Sequence, residues 1–139
     1  MKAITPDEAS QLRMAEGQLH EDDVIARLTA DGYTITRQQE EVNLGSVQGH
    51  LDGVLHGDPV LPVGLGPRVL EIKSMGRDTY KAFEAKGWDT PGLVQKYKWQ
   101  LSCYQHATGL EALLVAKNRD SGAMLYMPGL VFALIPIDA

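Results

Sequence analysis

Two acidic residues and one lysine on neighbouring strand-like segments are the residues best suited to chemistry. Asp52 ends a short segment, and Glu71 and Lys73 flank Ile72 in an otherwise apolar one. Because residues two apart share one face of a strand, the side chains of Glu71 and Lys73 point the same way. A buried charge is costly unless it is paired or bound to a metal ion. Two carboxylates that converge from adjacent strands suit a hard divalent cation such as Mg²⁺.

The neighbours of these residues could complete such a site. The backbone carbonyl of Ile72 could add an oxygen ligand, and Lys73 could orient a water or stabilise charge on a phosphate. His50 shares a face with Asp52, and it is either a hydrogen-bond partner or a structural histidine. The plain alternative is a surface ion pair, because Glu-x-Lys alone is common. The ordered spacing of an acid, a variable loop of about fifteen residues and Glu-x-Lys favours the site.

This ordered set resembles the signature of the PD-(D/E)XK nuclease superfamily. Asp52 followed by Glu71-Ile72-Lys73 is similar in particular to the exonuclease branch that includes lambda exonuclease, the RecB nuclease domain and the YqaJ-type recombinases. Leu51 stands where the proline of the motif would be, a departure that is common in the family. The resemblance covers roughly residues 14–120, which is most of the chain. Each motif is weak alone, and the ordered set is specific.

A helical segment upstream resembles the Gly-x-x-x-(Glu/His) element of the same branch. It runs from Gly17 to Glu21, and the resemblance implies that its last residue reaches the metal. His20 is rotated about 100° from Glu21 around the helix, so the two would not ligate one ion. Alternatively, Glu21 is a solvated helix residue, because Asp22 and Asp23 follow it.

A second helical segment, from Gln100 to Tyr104, resembles the Gln-x-x-x-Tyr motif of RecB-type nucleases. Residues four apart lie on one face of a helix, so the two side chains can act together. The resemblance implies that they approach the DNA backbone, with Tyr97 and Lys98 beside the same groove. Alternatively, this is an ordinary amphipathic helix in which Tyr104 is partly buried.

Taken together, the resemblance implies a Mg²⁺- or Mn²⁺-dependent deoxyribonuclease, and in particular an exonuclease of phage or bacterial DNA recombination, repair or end processing. The implied catalytic residues are Asp52, Glu71 and Lys73. The implied metal ligands are Asp52, Glu71, the Ile72 carbonyl and Glu21, with His50, His20 and Ser74 as candidates for contacts around them. DNA is the implied partner, and a homo-oligomer and a recombination or replication protein are further candidates. Two alternatives stay open: an inactive nucleic-acid-binding module of the same fold, and an interaction domain with a chance match.

Composition indicates one soluble globular domain over residues 1–139. The hydrophobic content of 44% suits a single core. The single cysteine, Cys103, excludes a disulfide and a four-cysteine iron–sulfur cluster within the chain, so no such cluster is expected. No apolar run approaches the ~20 residues of a membrane span, and the acidic start carries no apolar signal core. We therefore expect a cytoplasmic protein with no membrane partner.

The charge distribution matters because the net charge of −5 at first weighs against nucleic acid. Residues 68–119 hold nine of the thirteen lysines and arginines and five of the eighteen acids, a net +4 that leaves −9 for the remainder. A polarised domain can present a basic face to phosphates while its total charge is acidic. A solvated charge pattern without function is the alternative.

The elements that must position these residues follow from periodicity and from cap and turn residues. Thr5-Pro6-Asp7-Glu8 predicts the start of a helix that extends to residue 30 and could break near Gly17. The other predicted elements are a strand over 33–44, a strand over 47–55 that Gly49 and Gly53 interrupt, and a strand over 68–74. Helices over 80–86 and 93–108, a strand over 113–116, and one or two strands over 124–137 with an interruption near Pro128-Gly129 follow. Gly109 is expected to cap the second of these helices. The order α-β-β-β-α-β-β predicts an α/β (α+β) fold with a central mixed sheet flanked by helices, which the resemblance implies is restriction-endonuclease-like.

Overall fold

Three helices and seven strands form the fold in the computed structural model, which describes residues 5–45, 47–57 and 66–129. The helices are α1 (Pro6–Ala30), α2 (Arg77–Lys86) and α3 (Leu93–Thr108), with a 3₁₀ turn at Gly87–Asp89. The strands are β1 (Thr34–Thr36), β2 (Glu41–Leu44), β3 (Val47–His50), β4 (Gly53–His56), β5 (Arg68–Met75), β6 (Glu111–Asn118) and β7 (Met124–Pro128).

The central sheet is mixed and has five strands in the order β1-β4-β5-β6-β7. Strands β5 and β6 pair in parallel, and the other neighbours in this sheet pair antiparallel. Strands β2 and β3 form a separate antiparallel hairpin. The predicted α+β class with a mixed sheet and flanking helices is confirmed at this level.

Helices cover both faces of the sheet, which explains why the centre of β6 is apolar on both sides and why β5 buries residues on both faces. On one face, α1 packs Val24 and Leu28 against the sheet. On the other face, α2, the 3₁₀ turn and α3 together bury Phe83, Trp88 and Leu101. The end of β5 that carries Glu71 and Lys73 therefore lies inside a three-layer sandwich.

The first helix runs without interruption through Gly17, so the break predicted there is wrong. A capping box starts it: the Thr5 hydroxyl accepts from the Glu8 amide, and the Glu8 carboxylate accepts from the Thr5 amide. A glycine inside a helix costs only about 1 kcal/mol relative to alanine, and the alanine and glutamate residues around it favour the helix.

Two predicted strands are each divided in the structure, which corrects the predicted order of elements. Residues 33–44 form β1 and β2, and residues 47–55 form β3 and β4, in two different sheets. The chain turns between β1 and β2 because Arg37 and Gln39 adopt positive φ angles of 54° and 60°. Asp52 consequently lies in the short link between β3 and β4, and not within a strand.

The later elements follow their predictions more closely. Helix α3 has its predicted bounds, and Gly109 caps it in the left-handed conformation with φ 72°. Helix α2 begins at Arg77, three residues before the predicted start. Strand β7 ends at Pro128, and the predicted continuation over 130–137 lies outside the described residues. Within the described ranges, no helix is both long and apolar enough to cross a bilayer.

An ion-pair cluster ties α1 to the end of β6 and the turn that follows. The Lys117 Nζ lies 2.7 Å from the Asp23 Oδ2, and the Arg27 Nη2 lies 3.0 Å from the same oxygen. Arg27 Nη1 also donates to the Gly122 carbonyl at 2.6 Å. Because Lys117 is only 8% exposed, its ammonium depends on this carboxylate.

Replacing Asp23 by alanine is expected to lower the free energy of unfolding by about 2 kcal/mol, because the buried Lys117 charge loses its partner. Urea denaturation measures the change. The matched control is Asp22→Ala, one position earlier on an exposed side chain, which should change stability by no more than about 0.5 kcal/mol. Equal effects of the two substitutions would contradict this role for Asp23.

Candidate active site

The register of β4 and β5 brings Asp52 and Glu71 together. Gly53 pairs with Leu70, so Asp52 lies one step beyond, opposite Glu71. Opposite residues of an antiparallel pair have side chains on the same face. The Ile72 amide donates to the Asp52 Oδ2 at 2.6 Å and thereby fixes the carboxylate directly before the first residue of β4.

Glu71 and Lys73 form a largely buried ion pair on the face of β5 that is directed toward α3. The Lys73 Nζ lies 3.1 Å from the Glu71 Oε1, and Glu71 is 3% exposed. The other carboxylate oxygen, Oε2, is buried and has no hydrogen-bond partner among the described residues. One oxygen of Glu71 thus faces the lysine, and the other has no hydrogen-bond donor among the described residues, while the Glu71 carboxyl lies within hydrogen-bond contact of the Asp52 carboxyl.

Glu21 of α1 also reaches this cluster. Its carboxyl is within hydrogen-bond contact of the Asp52 carboxyl, and its Oε1 accepts from the Gln39 side-chain amide at 3.0 Å. His20 lies 3.5 Å from Glu16 instead. The structure therefore brings Glu21 to Asp52 and directs His20 elsewhere.

Burial raises the pKa values of all three carboxyls, and the negative charge of Asp52 repels the other two. Burial, together with the negative charge of Asp52, raises the pKa of Glu71 to about 8. The same two causes raise the pKa of Glu21 to about 7. Burial also raises the pKa of Asp52, although the Ile72 amide and the Lys73 charge oppose it. A bound cation would relieve this repulsion.

Lys73 is the positive counterpart of the cluster. Burial lowers its pKa, but the Glu71 and Asp52 carboxyls and Tyr97 together more than offset that effect, so the pKa lies above its ordinary value. The ammonium is therefore charged at neutral pH. Its Nζ lies 4.9 Å from the centre of the Tyr97 ring.

The donor set consists of hard oxygen atoms, which is the chemistry that Mg²⁺ and Mn²⁺ prefer. Within the described part of the chain, no three side chains of His, Cys, Asp and Glu are arranged as a complete metal site. The buried, unpartnered Oε2 of Glu71 nevertheless fits a cation better than a purely structural ion pair, because a buried acceptor without a partner is unfavourable. Asp52 and Glu71, with the Ile72 carbonyl and Glu21, are the oxygens that could share such an ion.

Gln100 and Tyr104 act as a pair, as their helical spacing predicts, but the Tyr104 side chain faces inward. The Gln100 Nε2 donates to the Tyr104 hydroxyl at 3.0 Å, and that hydroxyl donates to the His50 carbonyl at 3.3 Å. Tyr104 is only 4% exposed. The hydrogen bond from the Tyr104 hydroxyl to the His50 carbonyl thus holds the β2–β3 hairpin onto α3, next to Asp52.

A glycine is required where the hairpin meets this tyrosine. A Cβ atom on Gly49 would lie 2.5 Å from the Tyr104 hydroxyl, closer than real Cβ contacts come. Gly49→Ala is expected to lower the free energy of unfolding by about 1–3 kcal/mol, because the buried ring cannot move aside.

Denaturation of Gly49→Ala in the Tyr104→Phe background checks the cause. Removing the hydroxyl should make the alanine less destabilising than it is in the wild type. Gly17→Ala is the control, because nothing lies within 4 Å of an added Cβ there, and it should stabilise by up to about 1 kcal/mol. Equal costs of Gly49→Ala in both backgrounds would contradict the steric explanation.

The remaining predicted residues lie around the cluster without joining it. Lys98 is half-buried on α3, the His50 side chain is exposed, and Ser74 is partly buried at the end of β5. Among the described residues, neither the His50 imidazole nor the Ser74 hydroxyl hydrogen-bonds to Asp52 or Glu71.

Two further residues lie near the site that the sequence patterns did not assign to it. Gln39 donates to Glu21 from a left-handed backbone position, which no pattern of residue types discloses. Arg119 donates its amide to the Met75 carbonyl at 2.9 Å, and its guanidinium lies over Gly76, where a Cβ would be 3.2 Å from Nη2. Its position directly after β6, at the carboxyl end of a parallel pair, was a usable signal, because ligands often bind there.

Comparisons with known proteins give little further information. No protein-family model matches this chain, and no curated protein matches it. A solved crystal structure, that of SSO0001, is similar with a TM-score of 0.46 and 21% sequence identity. The match covers 85% of this chain and 53% of that one, so the chain spans about half the length of SSO0001. A likeness of this degree carries no conclusion about what this chain does.

Proposed function

We propose that this chain is a metal-dependent nuclease that hydrolyses DNA phosphodiester bonds. The observation that carries the proposal is the buried cluster of Asp52, Glu71 and Lys73, in which Glu71 keeps one oxygen without a partner. A structural ion pair explains Lys73 and Glu71 alone. It does not explain why Asp52 and Glu21 are added to the same cluster, since the charge of Asp52 repels both Glu21 and Glu71.

Each residue of the cluster has its own role in the proposed hydrolysis. Asp52, Glu71, Glu21 and the Ile72 carbonyl would hold Mg²⁺ or Mn²⁺, which supplies Lewis acidity at the phosphate and activates water when bound. The Ile72 amide keeps the Asp52 carboxylate in place. Lys73 is charged and partly exposed, so its ammonium can hold the attacking water or stabilise negative charge on the phosphate.

Basic and polar groups on the same side of the sheet suit a phosphodiester backbone. Lys98 and Gln100 are on α3, Arg119 lies beside Gly76, and the charge of Arg119 acts on Tyr97 next to Lys73. The net +4 of residues 68–119 points in the same direction. Phosphate contacts of this kind position a strand without reading its sequence.

The resemblance to PD-(D/E)XK nucleases supports DNA as the substrate and a restriction-endonuclease-like core as the fold. Asp52, Glu71-Ile72-Lys73 and Glu21 are its matching positions, and they lie together in the structure. By that resemblance, the activity is exonucleolytic and serves recombination, repair or end processing, with a homo-oligomer or a recombination or replication protein as partner.

A second candidate is a nucleic-acid-binding module of the same fold that lacks turnover. The observation in its favour is that Lys73 already neutralises one oxygen of Glu71, while the described residues contain no complete metal site. This candidate predicts DNA binding that Mg²⁺ does not convert into cleavage.

Digestion of three labelled substrates tests the proposal. Linear duplex, single strand and closed circular DNA are incubated with the protein in Mg²⁺, in Mn²⁺ or in EDTA. We expect metal-dependent loss of label from the linear DNA and none from the closed circle. DNA binding without cleavage of any substrate in either metal would favour the second candidate. Neither binding nor cleavage would indicate an interaction domain.

A further inference from the structure

The ammonium of Lys73 lies between a carboxylate and an aromatic ring. Its Nζ is 3.1 Å from the Glu71 Oε1 and 4.9 Å from the centre of the Tyr97 ring. Tyr97 belongs to α3, whereas Lys73 and Glu71 belong to β5. The contact therefore joins two elements at the candidate site, and no spacing of residues along the chain predicts it.

The ring is held firmly enough to serve as a support. Tyr97 is half-buried and packs against the core cluster on the α3 face of the sheet. Val94 and Leu101, one turn before and one turn after it, are fully buried. Because residues three and four apart share a helix face, these two buried residues keep the Tyr97 side of α3 against the core.

Glu71 alone could not keep Lys73 in place during the proposed reaction. A lysine ammonium sits on a flexible four-carbon stem, and its position depends on its partners. A carboxylate that binds a cation attracts the lysine less, whereas the face of an aromatic ring attracts an ammonium independently of that change. The ring is thus the contact that persists when Glu71 engages a metal ion.

We propose that Tyr97 is a positioning residue, whose ring face holds the Lys73 ammonium at the carboxylate cluster. The catalytic consequence of this inference rests on the proposed nuclease function, while the ring–ammonium contact itself does not. The ammonium lies over the face of the ring, so the ring and not the hydroxyl is the group that holds it. Burial also raises the pKa of Tyr97, so the ring remains neutral at physiological pH.

Steady-state kinetics of two variants test the catalytic consequence. Tyr97→Leu removes the ring and should lower kcat for DNA cleavage by about 3- to 30-fold, with KM within about twofold of the wild type. Tyr97→Phe keeps the ring and should restore kcat to within about twofold. A phenylalanine variant as slow as the leucine variant would contradict the proposed role, as would a leucine variant with unchanged kcat.

A spectroscopic measurement tests the contact without any activity. The lysines are dimethylated with ¹³C-formaldehyde, which keeps their charge, and the Lys73 signal is assigned by its loss in Lys73→Arg. We expect an upfield ring-current shift of this signal in the wild type and in Tyr97→Phe, and its loss in Tyr97→Leu. No shift in the wild type would overturn the inference.

The two measurements separate this inference from the proposed function. A ring-current shift in a protein that never cleaves DNA would support the contact and overturn the nuclease proposal. Cleavage by a wild type without the shift would support the nuclease and overturn the positioning role. Thermal melting checks that the variants fold, and Tyr97→Met, whose long unbranched side chain adapts to an irregular space, replaces Tyr97→Leu if the leucine variant is unfolded.

Discussion

Replacing Lys73 by alanine is expected to lower kcat for DNA cleavage by about 100- to 1000-fold, the usual effect of removing one fixed charge from a developing oxyanion. Lys73 is the one side chain of the cluster that adds positive charge without being a candidate metal ligand. Mn²⁺ should therefore still bind, and at least as tightly, because the ammonium no longer competes for Glu71. Loss of turnover with retained metal binding is the signature of this role.

Single-turnover cleavage and Mn²⁺ titration measure the two quantities separately. Lys81→Ala is the matched control, because Lys81 is exposed on α2 and belongs to no ion pair among the described residues. It should cleave at the wild-type rate. If Lys73→Ala cleaves as fast as Lys81→Ala, Lys73 has no catalytic role.

Raising the pH from about 5 to about 9 is expected to destabilise the metal-free protein by several kcal/mol, because folding raises the pKa values of two buried carboxyls. The pKa of Glu71 rises to about 8 and that of Glu21 to about 7, and both values lie above the pKa of ~4.3 that glutamate has in an unfolded chain. The folded protein thus binds protons more tightly than the unfolded chain. This stabilisation is complete below about pH 4 and is lost as the pH rises through 7 and 8.

Melting in EDTA at several pH values, with Glu71→Gln alongside the wild type, measures this effect. The raised pKa of Glu71 alone corresponds to a change of at most about 5 kcal/mol in the free energy of unfolding across this pH range. The glutamine variant should lack most of that pH dependence. At high pH, Glu71→Gln should therefore melt above the metal-free wild type, and saturating Mg²⁺ should raise the melting temperature of the wild type. A wild-type pH dependence equal to that of Glu71→Gln would show that Glu71 titrates normally.

Local patterns were sufficient to predict the parts of the fold that depend on neighbours in sequence. The bounds of α3 and the cap at Gly109 follow from helical periodicity and from the freedom of glycine at positive φ. The common face of Glu71 and Lys73 follows from strand alternation, and the structure brings their charged ends within 3.1 Å.

Features that depend on tertiary contacts could not be predicted in this way. The ion pair of Asp23 with Lys117 is one of them, because the two residues are far apart in the sequence. The turn between β1 and β2 depends on left-handed backbone at Gln39, a residue type that rarely adopts it. Tyr104 was placed on the correct helix face, but its burial depends on the hairpin that covers it.

The aspartate at the centre of the cluster offers the most direct test of a metal-dependent nuclease. Asp52→Asn removes one charge and keeps the shape of the side chain that accepts from the Ile72 amide. The measurement is single-turnover cleavage of end-labelled linear DNA in Mg²⁺ by the wild type and by Asp52→Asn, purified identically. We predict cleavage by the wild type that EDTA abolishes, and a rate at least about 100-fold lower for the variant. Equal rates for the two proteins, or no cleavage by the wild type, would contradict the proposed function.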